Sequence, residues 1–537
     1  MAAESADVCI IGAGLAGGLI SHQLTKHGLR VVLLEAGRRH DIAQRASYTQ
    51  KIVSGEADED VAWTSEWPRR DVFRTVGNIG YPLNVLRAKG VGGSTLHWGG
   101  EALRFITNDF RMRSAYGVGD DWPITYDELE PYYVRAEHEM GVAGSNSNPF
   151  ASPRSADFPL PAFPFSFGDK AIKPKLEEMG ITMHHVPWAR NSKPYGGRPA
   201  CAAFATCGSY RVCPISAQFT SEGHIYQAEQ TGHLDLVTDA HVRRLKTDRN
   251  NRITHALYSD SNFVEREVRA KVFVLASHCV ETPRLLLLSE NNAFPNGLAN
   301  NSGLVGKRFM ERPAISYAGR IADPIFNHRI GFHTAESHNY VDLSDRSQSA
   351  AFKLSFGTSG GATPAVIAAG SGKWGDALAK DIKATYGDSL AVTASFEQLP
   401  DERNSVSLDP VMRDVFGDPA PRIDLNYFDY ETRGFARGER VCKEILQGLN
   451  VRNFQNSRNL GFAGHPMGTC RMGDDPASSV VDHNLRAHGI SNLMLVGSSV
   501  FVTGSSLQPS LTIAALALRA ADHIISQAKK PGAFRDA

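Results

Sequence analysis

Short apolar runs separated by glycine-rich turns open the chain, and stretches of helical spacing alternate with them. Asp7-Val8-Cys9-Ile10-Ile11 predicts a strand, Leu15 to about His27 a helix, and Val31-Val32-Leu33-Leu34-Glu35 a second strand. Leu234-Asp235-Leu236-Val237, Ala240-His241-Val242 and Lys271 to Ala276 read as further strands, the last followed by a helix over Thr282 to Leu288. The tail repeats the alternation, with a strand at Leu493 to Val496 and a helix at Thr512 to Ile525 that has Ser510 as its N-cap. Between these segments the character changes. Tyr126 to Met140 is an acidic helical run, and Asn148 to Phe167 holds five prolines, too many for regular structure. Phe356 to Gly375, rich in Gly, Ser, Thr and Ala, reads as a mobile connection or lid, with an ordinary surface loop as the alternative. The pattern predicts an α/β fold in which a nucleotide-type domain is assembled from separated pieces, with another domain inserted between them.

Composition narrows the function. The 537 residues carry 57 basic and 57 acidic side chains, a balance that argues against a nucleic-acid partner. A hydrophobic share of 42% lets the chain bury more than one core. Leu493 to Leu518 is uncharged but interrupted by Gly504 to Ser510, so no membrane span is expected. The residues before Val8 include Glu4 and Asp7 and no Lys or Arg, so no signal peptide is expected either. Of seven cysteines, Cys201, Cys207 and Cys213 cluster, which suggests a metal site before it suggests disulfides.

The first strand leads into Gly12-Ala13-Gly14-Leu15-Ala16-Gly17, and Glu35 ends the second strand. This is a dinucleotide fingerprint: the glycines allow a sharp turn and close backbone approach to a pyrophosphate, and the acidic residue can accept hydrogen bonds from a ribose. A second glycine cluster, Gly90 to Gly100, contains His97 and Trp98, which can meet an aromatic ring system.

Five places together resemble the glucose-methanol-choline (GMC) oxidoreductase family: Gly12 to Gly17 with Glu35; Gly92-Gly93-Ser94 with His97; Ala276 to Ser289; Gly464 to Gly473; and Val496 to Ile525. The resemblance implies a Rossmann-like FAD-binding domain over 1–105, 201–320 and 456–537. A substrate domain with an antiparallel sheet is implied over 106–200 and 321–455. FAD contacts are implied for Gly12, Ala13, Gly14, Gly17, Glu35, Ala36, Gly92, Gly93, Ser94, His97, Val242, Ala276 and Ser498, with covalent or noncovalent contact at His97. The base is implied at His465, since an imidazole with a pKa near ~6.5 can take a hydroxyl proton as hydride leaves for flavin N5. Gln508 stands where the family usually has a second His or Asn; it can hydrogen-bond a hydroxyl but cannot act as a base. The helix after Pro509 is expected to aim its positive end at the pyrimidine end of the flavin.

Among GMC proteins, the catalytic subunits of bacterial FAD-dependent glucose dehydrogenases and glucoside 3-dehydrogenases carry a three-cysteine iron–sulfur site before a Cys-Pro-Ile-like sequence. Cys201, Cys207 and Cys213-Pro214-Ile215 are similar and imply a cluster, [3Fe-4S] by ligand count, in the loop near 201–213. The implied reaction is oxidation of a sugar or glycoside hydroxyl, glucose C1 or glucoside C3, with electrons leaving to a c-type cytochrome. A small Tat-signal-bearing subunit would bring the chain to the periplasm; a cytoplasmic location is the alternative. The rivals are an oxygen-using GMC oxidase and a non-redox flavoprotein lyase.

Overall fold

The strand Ala6–Ile11 is buried at every position but one and lies between two parallel neighbours, Val31–Leu34 and Glu265–Leu275. An unbroken apolar run is what a strand covered on both faces needs. Leu234–Val237 extends this sheet beyond Val31–Leu34, and Leu493–Leu495 pairs in parallel with the end of Glu265–Leu275. The eleven-residue strand Glu265–Leu275 does two jobs: its first half pairs antiparallel with Ile253–Ser259, which pairs in turn with His241–Thr247. The seven strands of this sheet thus come from widely separated segments. The computed structural model describes residues 6–40, 71–203, 213–326, 330–357, 364–454 and 460–530.

A second sheet of six strands is antiparallel throughout, in the order Leu460–Phe462, Pro313–Arg320, Ser389–Phe396, Phe352–Phe356, Ala335–Ser337 and His184–His185. The helix Asp429–Gly448 packs on it, and Phe352, Phe396, Phe435 and Ile445 share its core. A five-stranded sheet joins the two regions; it contains Met467–Thr469, from the second half of the chain, and Arg74–Val76, from the first. The expected α/β fold with an antiparallel second sheet is therefore present. Among the described residues no helix is long and apolar enough to cross a membrane.

The helix Ser510–Ala528 packs against Leu15–Lys26 and Tyr126–Met140. It buries Leu511, Leu516, Leu518 and Ile524, each worth roughly 1.5–3 kcal/mol relative to exposure. The Thr512 and Tyr133 hydroxyls, 2.7 Å apart, tie the two helices together. Ser510 is not the N-cap: Pro509 holds that place, with no side-chain cap, and Ser510 begins the helix. Proline suits a helix start because the amide it lacks has no intrahelical partner there. The glycine-rich segment after Phe356 contains a helix, Pro364–Ser371, and runs into another, Gly375–Thr385; residues 358–363 lie outside the described chain. The proline-rich stretch contributes one two-residue strand, Leu160–Pro161, before the helix Phe167–Glu178.

Candidate active site

The C-terminal ends of the parallel strands and the N-termini of two helices open onto one cavity of about 460 Å³. At its nucleotide end Gly12 has φ +104°, and a Cβ there would stand 2.8 Å from the Ala276 carbonyl oxygen; a Cβ on Gly17 would stand 2.0 Å from the Gly12 oxygen. Only glycine lets the turn and the helix approach this closely. Glu35 accepts the backbone N–H groups of Ala13 (2.8 Å), Gly37 (2.9 Å) and Gly90 (3.0 Å), so one carboxylate joins both glycine loops. Burial raises its pKa and the three backbone donors oppose that rise. Ala13 engages one lone pair of Oε2, which leaves that oxygen able to accept a further hydrogen bond, as a ribose diol requires.

Gly12, Gly14, Glu35, Ala36, Gly93, Ser94, His97, Val242, Ala276 and Ser498 all line the cavity, as do His465 and Gln508. Ala13, Gly17 and Gly92 lie behind its surface: Ala13 bonds Glu35, Gly92 N–H donates to the Ala13 carbonyl, and Gly17 backs Gly12. Pro509, Ser510 and Ile513 also line the cavity, so the tail helix starts at its wall. These features fit a dinucleotide with a flat ring system.

At the other end His465 and Arg312 form a unit. Arg312 Nε–H donates to His465 Nδ1 at 3.1 Å, and Arg312 Nη1 donates to the Ser506 carbonyl at 2.7 Å. A guanidinium is only a donor, so in this arrangement the neutral imidazole carries its proton on Nε2. Glu311 Oε1 accepts the backbone N–H groups of both residues, His465 at 2.8 Å and Arg312 at 2.9 Å. Burial lifts the Glu311 carboxyl to about 7, although those donors pull the other way. Gln508 is 5% exposed, and its Oε1 has no hydrogen-bond partner. A buried acceptor left in this state points to an absent donor. Ser498 Oγ–H donates to the Pro466 carbonyl at 2.6 Å and steadies the residue after His465.

Several lining residues were not singled out as site residues in the sequence. Arg87, Lys89 and Arg284 line the cavity beside Glu281, and Asp71 and Asp414 bind their outer ends. His278 and His241 lie among them; burial first and nearby cations next hold the two rings down to about 3 and about 4, so they are neutral. Glu101 and Arg312 line it too. Their signal was weak: a carboxylate after a glycine loop and an arginine at the start of a strand acquire meaning only when segments more than 150 residues apart come together.

The cysteine trio is only partly described. Cys201 and Cys213 are half-buried free thiols, and Cys207 lies outside the described residues. Cys201 packs on the cluster Val186, Trp188 and Phe332, and Trp188 flanks Gly99 of the cavity wall. Cys213 lies close enough to Arg198 to interact with its guanidinium electrostatically.

Comparison with known proteins defines the class. Residues 5–52 match the model of an FAD-binding domain, and residues 400–517 match that of the GMC oxidoreductases. The chain is 34% identical to a protein of Gluconobacter japonicus named fructose dehydrogenase large subunit, over 98% of this chain and 99% of that one. It is 29% identical to 2-methyl-1,2-propanediol dehydrogenase of Mycolicibacterium austroafricanum, over 97% of this chain and 95% of the relative. A solved formate oxidase of Aspergillus oryzae has the same fold, with a TM-score of 0.69 at 16% identity over 99% of each chain. The protein belongs to the GMC oxidoreductases. It is an FAD-dependent enzyme of the kind that acts on CH–OH groups.

Proposed function

We propose that the protein is a dehydrogenase of sugar or glycoside hydroxyls, acting at C1 of a glucose-type sugar or C3 of a glucoside. The observation that carries this reading is the convergence of His465, Arg312 and the unpartnered Gln508 Oε1 on the cavity built by the dinucleotide fingerprint. FAD, when bound in this cavity, would supply the two-electron acceptor for the carbinol hydride. The rest is done by the chain. Gln508 Oε1 accepts a hydrogen bond from the substrate and orients it. His465 receives the hydroxyl proton at Nδ1, for which the hydroxyl replaces the Arg312 Nε–H at that lone pair. The displaced guanidinium then faces the oxygen and stabilises the negative charge that grows there.

The names of two relatives, a fructose dehydrogenase subunit and a diol dehydrogenase, support dehydrogenation of a CH–OH group. In the proposed scheme Cys201, Cys207 and Cys213 would hold an iron–sulfur cluster, [3Fe-4S], which would supply single-electron transfer toward a c-type cytochrome. The half-buried free thiols of Cys201 and Cys213, the Arg198 charge beside Cys213 and the packing from Cys201 through Trp188 to Gly99 support this route. A relative named as a large subunit supports partner subunits, here a cytochrome and a small Tat-signal-bearing chain that carries the complex to the periplasm.

Anaerobic mixing of the holoprotein with a panel of free sugars and glycosides tests the reading. The flavin is expected to bleach with at least one of them, with product oxidised at C1 or C3 and little peroxide on admission of air. A flavin that stays oxidised with every sugar excludes the reaction, and stoichiometric peroxide release in place of cytochrome reduction moves the enzyme to the oxidases.

A further inference from the structure

Glu101 lines the same cavity as Arg312, His465 and Gln508, and the steps above leave it without a task. It is the end of a buried chain of contacts whose hydrogen-bond directions can be read link by link. The Phe150 backbone N–H donates to Asn148 Oδ1 at 2.9 Å, which turns the Asn148 amide nitrogen toward His338 Nδ1, 3.1 Å away. That ring nitrogen is therefore an acceptor, the ring proton sits on Nε2, and it is donated to Glu336 Oε1 at 2.9 Å. Lys353 Nζ, on a side chain only 1% exposed, then bridges Glu336 Oε2 at 2.5 Å and Glu101 Oε2 at 2.6 Å. Glu101 Oε1 lies 3.1 Å from His333 Nε2.

These side chains also form two groups with metal-like spacing, His184 with Glu336 and His338, and Glu101 with His333 and Glu336. Neither is a metal site as built. The Lys353 ammonium already lies between the two carboxylates, and His338 Nε2 carries a proton. The cation of this cluster is the lysine.

Burying two carboxylates around one ammonium costs desolvation that only a full set of hydrogen bonds offsets. The result here is a fixed, ionised acceptor at the cavity wall. Burial would raise the Glu101 carboxyl, but Lys353 and then His333 outweigh it and lower the pKa to about 2. One contact on each oxygen leaves Glu101 able to accept from a ligand. Arg312, close enough to feel the Glu101 charge, is a donor on the same cavity. A hydroxyl group both donates and accepts, so adjacent hydroxyls on a ring can satisfy such a pair.

We propose that Glu101 is the substrate-recognition carboxylate of this site. It accepts hydrogen bonds from hydroxyls beside the carbon being oxidised, and so selects neutral polyhydroxylated molecules over sugar acids. The inference rests on the reading of the protein as an alcohol dehydrogenating flavoenzyme and adds the basis of its substrate choice.

The test is the rate of anaerobic flavin bleaching against concentration, in wild type, Glu101→Gln and Glu101→Asp, with FAD content and melting temperature measured on each. The probes are D-glucose, D-fructose, their monodeoxy analogues, propane-1,2-diol and gluconate. Glu101→Gln is expected to raise the half-saturating concentration of the preferred neutral sugar about 10- to 100-fold, the range for loss of a charged hydrogen bond, with a smaller effect on the limiting rate. That penalty should shrink for the analogue lacking the recognised hydroxyl, and gluconate should bind the variant better than it binds wild type. Glu101→Asp keeps the charge beside Lys353 and should lie between the two. Unchanged half-saturation in both variants overturns the inference while leaving the reaction intact. A wild type bleached by none of these compounds and by no glucoside overturns the reaction and the inference together.

Discussion

Glu311 acts on the site without touching the cavity. Its Oε1 holds the backbone N–H groups of Arg312 and His465, while Oε2 faces the buried Tyr81 hydroxyl without either closing a well-directed hydrogen bond. Burial sets its pKa near 7, above the ordinary 4.5, so the folded protein holds this proton more tightly than the unfolded chain does. The stabilisation is full below about pH 4.5 and is lost as pH rises through about 7, on the order of 3 kcal/mol in all. Glu311→Gln keeps a neutral acceptor for both backbone donors and removes the titration. Chemical denaturation from pH 5 to 8 should therefore show wild type losing stability relative to the variant by about that amount, and a difference that does not change with pH would refute the assignment. Arg312 bonds His465 Nδ1 and the Ser506 carbonyl together, a planar reach that no lysine ammonium offers, and in the proposed step a substrate hydroxyl takes its place at Nδ1.

Elements whose boundaries follow from local chemistry were legible in the sequence. The strand Ala6–Ile11, the helix Tyr126–Met140 and the glycine turn at Gly12 appear where apolar period, helical spacing and steric need place them. Elements set by tertiary contact were less so. Glu265–Leu275 begins six residues before the expected start at Lys271, four of them charged, because its first half pairs with Ile253–Ser259 at the edge of the sheet. Ser510 had the chemistry of a cap, but the chain turns one residue earlier, at Pro509. At the site, the residues contributed by glycine motifs could be read from spacing. Glu101 and Arg312 could not, because their proposed roles rest on contacts with Lys353 and His465, distant in sequence. Pattern reports what a residue does to its own element, while these two act across elements.

The whole molecule gathers one end of a parallel sheet, helix starts and an antiparallel sheet edge around one cavity, with Cys201, at the head of the three-cysteine segment, joined to it through Trp188. If electrons leave by that segment, Cys207→Ser should lower iron content and cytochrome reduction while sparing substrate-dependent bleaching; iron assay and cytochrome turnover check it, and undiminished cytochrome reduction would exclude the cluster from the path. All of this depends on the imidazole at 465 handling the hydroxyl proton while a hydride leaves. Stopped-flow flavin reduction in His465→Ala, reconstituted to full FAD content and mixed anaerobically with the best wild-type substrate, measures that step directly. Loss of a general base predicts a reduction rate about two to four orders of magnitude below wild type with cofactor retained, whereas a variant that bleaches at the wild-type rate would contradict the account.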